Sequence, residues 1–148
     1  MPLMNIGLAH GVRRELLVRR VLAADAMAPS IVRRMFRDWF RELEWPGDDA
    51  DDLLLAVSEA VSNVSDHAYP EGVAGRVVVR GRCLPAGPGQ RQLVITVRDN
   101  GSWRPSPEWH ENRRRGLPLM RACTASLNVR GTPNGTRVRM ISRPAPNP

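Results

Sequence analysis

Apolar residues recur along the first half of the chain at the spacing of two helices. From Ile31 to Leu43 they fall three and four positions apart, on one helix face, and Pro46-Gly47 ends the pattern. A second helix is predicted from near Asp48, where several aspartates suit the positive end of a helix dipole. It extends to about His67, because Tyr69-Pro70 stops it.

Elsewhere the pattern changes to alternating or continuous β-branched residues, which predicts strands. In chain order the predicted strands are Arg14 to Leu22 at a sheet edge, Arg76 to Cys83, Gln92 to Arg98, Ser126 to Arg130 and Thr136 to Ile141. The second and third are neighbouring antiparallel strands, and the last two form a closing hairpin, since Pro- and Gly-containing loops join each pair. A long loop without periodicity, Ser102 to Arg115, leads into a short helix from Leu117 to about Ala125.

The length and the cysteine content point to one domain without metal or disulfide support. A chain of 148 residues can bury a sufficient core by itself. Cys83 and Cys123 are isolated, with no ligand spacing around them, so we expect reduced and partly buried thiols. No stretch is long and apolar enough for a membrane span, and the N-terminus lacks a basic segment before its short apolar stretch. We therefore expect a cytoplasmic protein that does not contact the membrane.

The basic charge comes from arginine alone. The net charge is +7 and the chain contains no lysine, which excludes lysine chemistry. The arginines are scattered from Arg13 to Arg143, and only Arg113 to Arg115 form a run. Aromatic residues do not alternate with them, as stacking on single strands requires. We therefore expect no direct contact with nucleic acid. Binding to nucleic acid is the less favoured alternative, and a steep salt dependence of DNA or RNA affinity would support it.

A polar stripe interrupts the apolar second helix. Glu59, Asn63 and His67 recur at intervals of four, so they lie side by side on one helix face. A carboxylate and a carboxamide in this arrangement can face one triphosphate: Asn63 offers a neutral oxygen to magnesium, and Glu59 can accept a proton from an attacking hydroxyl. A solvated stripe is the alternative for the pair, and a capping or packing role is the alternative for His67.

A carboxylate stands at the end of a predicted buried strand. There Asp99 can accept a hydrogen bond from the exocyclic amine of adenine, whereas guanine presents a carbonyl oxygen at that position. Two residues further on, Gly101 allows the backbone to approach the base closely. An ordinary Asp-Asn-Gly turn would explain the same residues.

Two further glycines precede candidate ligand-binding residues. Gly116, between Arg115 and Leu117, begins the short helix, where free amides and the helix dipole attract anions. Its alternative role is a simple cap. Gly135-Thr136 lies in the closing hairpin, and a hairpin turn explains that glycine equally well.

Taken together, the four motifs resemble the N box and the three glycine boxes of the nucleotide-binding fold shared by gyrase, Hsp90, histidine kinases and MutL. The closer resemblance is to the anti-sigma-factor serine/threonine kinases related to RsbW and SpoIIAB. It implies a two-layer α/β sandwich over residues 13–142, in which three helices cover one face of a mixed, mostly antiparallel sheet. Residues 1–12 would be an N-terminal tail and residues 143–148 a disordered tail. Arg114 stands where many members have the first glycine of the second glycine box.

This resemblance implies a Mg-ATP-dependent protein serine kinase that is also an anti-sigma factor, with a STAS-type anti-anti-sigma protein as substrate. In that scheme Glu59 is the general base, Asn63 holds magnesium and Asp99 reads adenine. The other nucleotide-binding residues are His67, Gly101, Arg115, Gly116, Leu117 and Thr136. The family also favours a homodimer. The alternative is an ATP-binding module that sequesters a sigma factor or another regulator and phosphorylates nothing. Labelled ATP distinguishes the two, because only the kinase would transfer labelled phosphate to a partner protein.

Overall fold

Two long helices and one short helix form one layer of the protein. The computed structural model of the chain describes residues 16–69, 73–101 and 116–148. Helix α1 spans Ala28–Glu42; α2 spans Gly47–Asn63 and continues into a single π-helical turn, Val64–Ala68. Residues 116–122 are helical and are called α3. In these three ranges, no helix is long and apolar enough to cross a bilayer.

Among the described residues, six strands form the second layer. Their bounds are β1 Leu17–Ala23, β2 Arg76–Pro85, β3 Gln90–Asp99, β4 Ser126–Thr132, β5 Gly135–Ile141 and β6 Ala145–Pro146. The order across the sheet is β1-β2-β3-β5-β4, and β6 pairs with one end of β3. All pairings among the described residues are antiparallel. The predicted two-layer fold with a mostly antiparallel sheet is thereby confirmed.

Alternation along the central strands separates a buried face of the sheet from an open one. The apolar core positions of these strands include five residues that are each no more than 1% exposed: Val77, Val79, Leu93, Ile95 and Val97. Helix α1 lies directly on this face: a Cβ added to Gly81 would come within 2.5 Å of the Trp39 ring. Phe36 packs edge to face on Trp39, with ring centroids 5.8 Å apart. The core therefore lies between the helices and one face of the sheet, and the other face meets solvent.

The strand pairing follows the predicted order. As predicted, β1 is an edge strand, β2 and β3 are antiparallel neighbours, and β4 and β5 form a hairpin. Pairing in the hairpin extends to Thr132 and Gly135, which leaves the two-residue turn Pro133-Asn134. Gly135 has a φ of 143°, a backbone conformation that favours glycine.

The C-terminal residues pack on the sheet, so the prediction of a disordered tail over residues 143–148 is wrong. Arg91 of β3 is only 8% exposed, and its guanidinium lies 5.0 Å from the centre of the Trp45 ring. The backbone carbonyls that accept its hydrogen bonds belong to Leu43, Glu44 and Pro146. A buried arginine needs such acceptors, and here they join the tail to the end of α1.

Both cysteines are free, as predicted, and both are buried. Burial raises the pKa of the Cys83 thiol, although the nearby Arg91 acts in the opposite direction. Burial also raises the pKa of Cys123, and the charge of Asp52 adds to that shift. Because the thiolate is the reactive form, these thiols are poor nucleophiles at neutral pH.

Candidate functional site

The polar stripe of α2 lies beside the buried face of that helix. Leu53, Val57 and Val61 point into the core, whereas Glu59 and Asn63 are half-buried and stand one helical turn apart. Asn63 is the last residue of α2. The side chains of Glu59 and Asn63, which the sequence analysis selected, are therefore neighbours at the border of the core, and part of each is accessible to solvent.

Glu59 contacts the start of α3. A Cβ added to Gly116 would lie 2.6 Å from Glu59 Oε1 and 3.1 Å from its Cγ. Gly116 is buried, and only a residue without a side chain fits against the glutamate at this distance. The first and third sequence motifs thus meet through a direct contact, and Leu117, the next residue, is half-buried.

The π-helical turn after α2 brings the first motif against the second. A Cβ added to Gly101 would lie 2.0 Å from the carbonyl oxygen of Ala68, the last residue of that turn. Sequence periodicity predicted an uninterrupted helix to about His67, whereas the structure ends the α-helical pattern at Asn63. Such turns recur at functional sites in helices, because they re-aim the residues that follow.

Asp99 joins the second motif to the fourth. It ends β3, is only 5% exposed, and its Oδ1 accepts hydrogen bonds from the backbone amides of Gly101 at 3.0 Å and Thr136 at 3.3 Å. A Cβ added to Gly135 would lie 2.1 Å from the Asp99 carbonyl oxygen. Two amides therefore fix the orientation of this carboxylate, and Gly135 allows β5 to approach the backbone of Asp99 closely.

Tyr69 is a site-supporting residue that sequence reasoning did not select. Its hydroxyl donates to the Arg76 carbonyl at 2.5 Å and accepts from the Asn100 amide at 3.1 Å. Gly75 makes room for its ring, since an added Cβ would lie 2.0 Å from a ring carbon. One feature of the sequence could have identified this residue: Tyr69 is the single tyrosine of the chain, and it lies where the second predicted helix ends.

Some predicted site residues cannot be placed. Arg115, the loop over residues 102–115 and the side chain of His67 lie outside the described residues. Within residues 16–69, 73–101 and 116–148, no group of three or more His, Cys, Asp and Glu side chains could hold a metal ion.

Comparison with protein families identifies the domain that contains these site residues. Residues 22–142 match the family model for the histidine kinase-like ATPase domain. The chain belongs to the histidine kinase-like ATPase family. All four motifs lie inside the matched residues of this ATPase domain.

Relatives of the ATPase domain point to one branch of the family. The serine-protein kinases RsbW of Bacillus thuringiensis (strain Al Hakam) and Bacillus anthracis are each 31% identical over 80 residues. That stretch covers 54% of this chain and 46% of each relative, so the match spans less than half of their length. A solved structure of the RsbU and RsbW domains of Rv1364c from Mycobacterium tuberculosis matches with a TM-score of 0.68 and 26% identity, over 88% of this chain and 33% of that one. The resemblance to RsbW is confirmed.

Within this ATPase domain, the contact between Gly116 and Glu59 makes a testable prediction. In Gly116→Ala the new methyl group overlaps Glu59 Oε1, which lies at the end of a flexible side chain and can move aside. We expect the melting temperature to change by no more than roughly 2–4 °C. We also expect the phosphotransfer that the resemblance to RsbW implies to fall about a hundredfold in rate, because the carboxylate is displaced.

Gly47→Ala is the matched control, since nothing lies within 4 Å of a Cβ added at Gly47. Differential scanning calorimetry and transfer of labelled phosphate to a partner check the two variants. A Gly116→Ala protein that transfers phosphate at the wild-type rate contradicts the proposed link between this contact and catalysis.

Proposed function

We propose that the chain is a cytoplasmic Mg-ATP-binding anti-sigma regulatory factor with protein serine/threonine kinase activity. One observation carries the proposal: direct contacts link all four motifs. Glu59 meets Gly116, Ala68 meets Gly101, and Asp99 accepts from the amide of Thr136. Residues that are distant in sequence are thereby linked by contacts, which supports a common site.

Asp99 has the chemistry of an adenine reader. A buried carboxylate offers only acceptors, so it pairs with the exocyclic amine of adenine and opposes the carbonyl oxygen of guanine. The amides of Gly101 and Thr136 hold its Oδ1 in a fixed direction, and this orientation removes the entropy cost of positioning it. These contacts support Asp99 as the source of base selectivity and Thr136 as its support.

The residues around the start of α3 suit phosphates and magnesium. Gly116 and Leu117 begin α3, so their backbone amides are available to anionic oxygens, and Arg115 precedes them in the chain. Asn63 offers the neutral oxygen that a magnesium ion accepts. Bound Mg-ATP would supply the phosphoryl group. Glu59 would accept the proton of the attacking serine or threonine hydroxyl, as a general base.

The proposed protein partners follow from the relatives. The RsbW proteins are named serine-protein kinases, and the solved neighbour contains RsbU and RsbW domains. We infer a STAS-domain anti-anti-sigma protein as the phosphorylated partner and a sigma factor as the sequestered one. A homodimer is the assembly that we propose for this domain.

A thermal shift with two nucleotides tests the proposal. Ligand at about a hundred times its dissociation constant adds roughly 2.7 kcal/mol to the free energy of unfolding. We expect Mg-ATP to raise the melting temperature and Mg-GTP at the same concentration to leave it unchanged. An equal shift with both nucleotides contradicts the role of Asp99, and no shift with either contradicts the nucleotide site.

A further inference from the structure

The open face of the sheet carries a cluster of arginines, which we call the arginine face. It consists of Arg19, Arg80, Arg82, Arg98, Arg137 and Arg139, all of them exposed. They lie on β1, β2, β3 and β5 and surround a groove of about 410 Å³. The helical layer covers the opposite side of the sheet, so this face has no role in the nucleotide site described above.

Strand register places these like charges beside one another. Arg19 is the direct partner of Arg80 across β1 and β2, and Arg98 is the direct partner of Arg137 across β3 and β5. Neighbouring strands are only about 4.8 Å apart, and like charges directly opposite one another destabilise a sheet. The arrangement therefore costs stability in the isolated domain.

The arginine face is also uncompensated within the described residues. The chain has 15 acidic residues, yet none stands at an outward position of the described strands. Both ion pairs of the described residues use Arg143, with Asp49 and Asp52 of α2, in the other layer. A sheet face that only needs solvation would carry charges of both signs. Six positive charges without acidic neighbours are instead complementary to an anionic partner.

The groove itself distinguishes between anionic partners. Val78 and Val94 line it among the arginines, together with Thr96. Aliphatic side chains pack on other apolar side chains, whereas bases of nucleic acid need aromatic platforms, and no outward position of the described strands is aromatic. A second copy that approached with the same face would bring like charges together. The partner that fits is a protein segment with both carboxylates and aliphatic side chains.

We propose that the arginine face binds an acidic, amphipathic segment of a partner protein. Guanidinium groups pair with carboxylates through two parallel hydrogen bonds, and the valines of the groove take up the apolar side chains of the segment. This surface is separate from the nucleotide site, so the inference does not rest on the proposed function.

Fluorescence anisotropy with labelled peptides tests the inference on the full chain. The probes are a peptide of Glu and Leu, a peptide of Glu and Ser with the same charge, and an oligothymidylate with the same charge. We expect the Glu/Leu peptide to bind most tightly. The variant Arg80→Gln/Arg82→Gln/Arg139→Gln should weaken its binding about tenfold or more, a loss equivalent to about 1.4 kcal/mol.

The matched control is Arg33→Gln/Arg37→Gln/Arg41→Gln, which removes the same charge from exposed positions of α1. It should change the affinity by less than about twofold, given the screening of distant charges by salt. If both triple variants lose affinity equally, or if oligothymidylate or the Glu/Ser peptide binds as tightly as the Glu/Leu peptide, the inference is overturned. Circular dichroism checks that each variant is folded. If the triple variant does not fold, the single variant Arg80→Gln replaces it, and we expect this variant also to weaken binding of the Glu/Leu peptide.

Discussion

We expect Asp99→Asn to weaken the binding of Mg-ATP on the order of a thousandfold while the domain still folds. The oxygen of the new carboxamide can still accept from the amides of Gly101 and Thr136, which now bond to Asp99 Oδ1. Its amino group, however, is a donor and would face the exocyclic amine of adenine, donor against donor. Because guanine offers a carbonyl oxygen at that position, the preference for ATP over GTP should also disappear.

Isothermal titration calorimetry with Mg-ATP and Mg-GTP measures both effects. Asp38→Asn, at an exposed position of α1, makes the same chemical change away from the site and should leave both affinities unaltered. An Asp99→Asn protein that keeps its affinity for ATP shows that another group reads the base.

Glu59→Ala should keep nucleotide binding and lose phosphotransfer by roughly a hundredfold to ten thousandfold. The carboxylate is proposed to accept the proton of the attacking hydroxyl, and the alanine variant has no group that can do so. Truncation also removes the atoms that contact Gly116 and leaves the backbone at the start of α3 unchanged, so nucleotide binding should persist. Single-turnover transfer of labelled phosphate to a STAS-domain protein measures the rate.

Glu42→Ala is the control for this experiment, because it removes an exposed glutamate from the end of α1. Wild-type transfer by Glu59→Ala would falsify the assignment of the base. If the wild-type chain binds ATP and labels no STAS partner, the protein is instead the silent module that sequesters its partner.

Much of the fold could be predicted because it depends on local periodicity. The apolar stripe from Ile31 to Leu43 predicted α1, and the alternation before Asp99 predicted β3 and its buried inner face. Contacts link Glu59 to Gly116 and Asp99 to Gly101 and Thr136, and the roles assigned to these residues stay predictions. Order and spacing were sufficient here, since each motif sits at the end of a regular element.

The remaining features depend on contacts between distant residues, which no local pattern records. The turn Val64–Ala68 has the composition of an ordinary helix end, and no local pattern marks its π-helical geometry or its contact with Gly101. The C-terminal strand has the composition of a proline-rich loop, and the Arg91 acceptors that hold it in place come from two separate parts of the chain, Leu43-Glu44 and Pro146. Tyr69 likewise acts through backbone groups beyond its own helix.

The hydrogen bond between the Thr136 amide and Asp99 has a consequence for the order of folding. These residues are 37 positions apart, so this support forms only after a long loop has closed. A nascent or truncated chain that ends before β5 has the aspartate but lacks the amide that orients it. In the proposed site, nucleotide is therefore a probe of completed folding, because recognition of the base by Asp99 would require both strands at once.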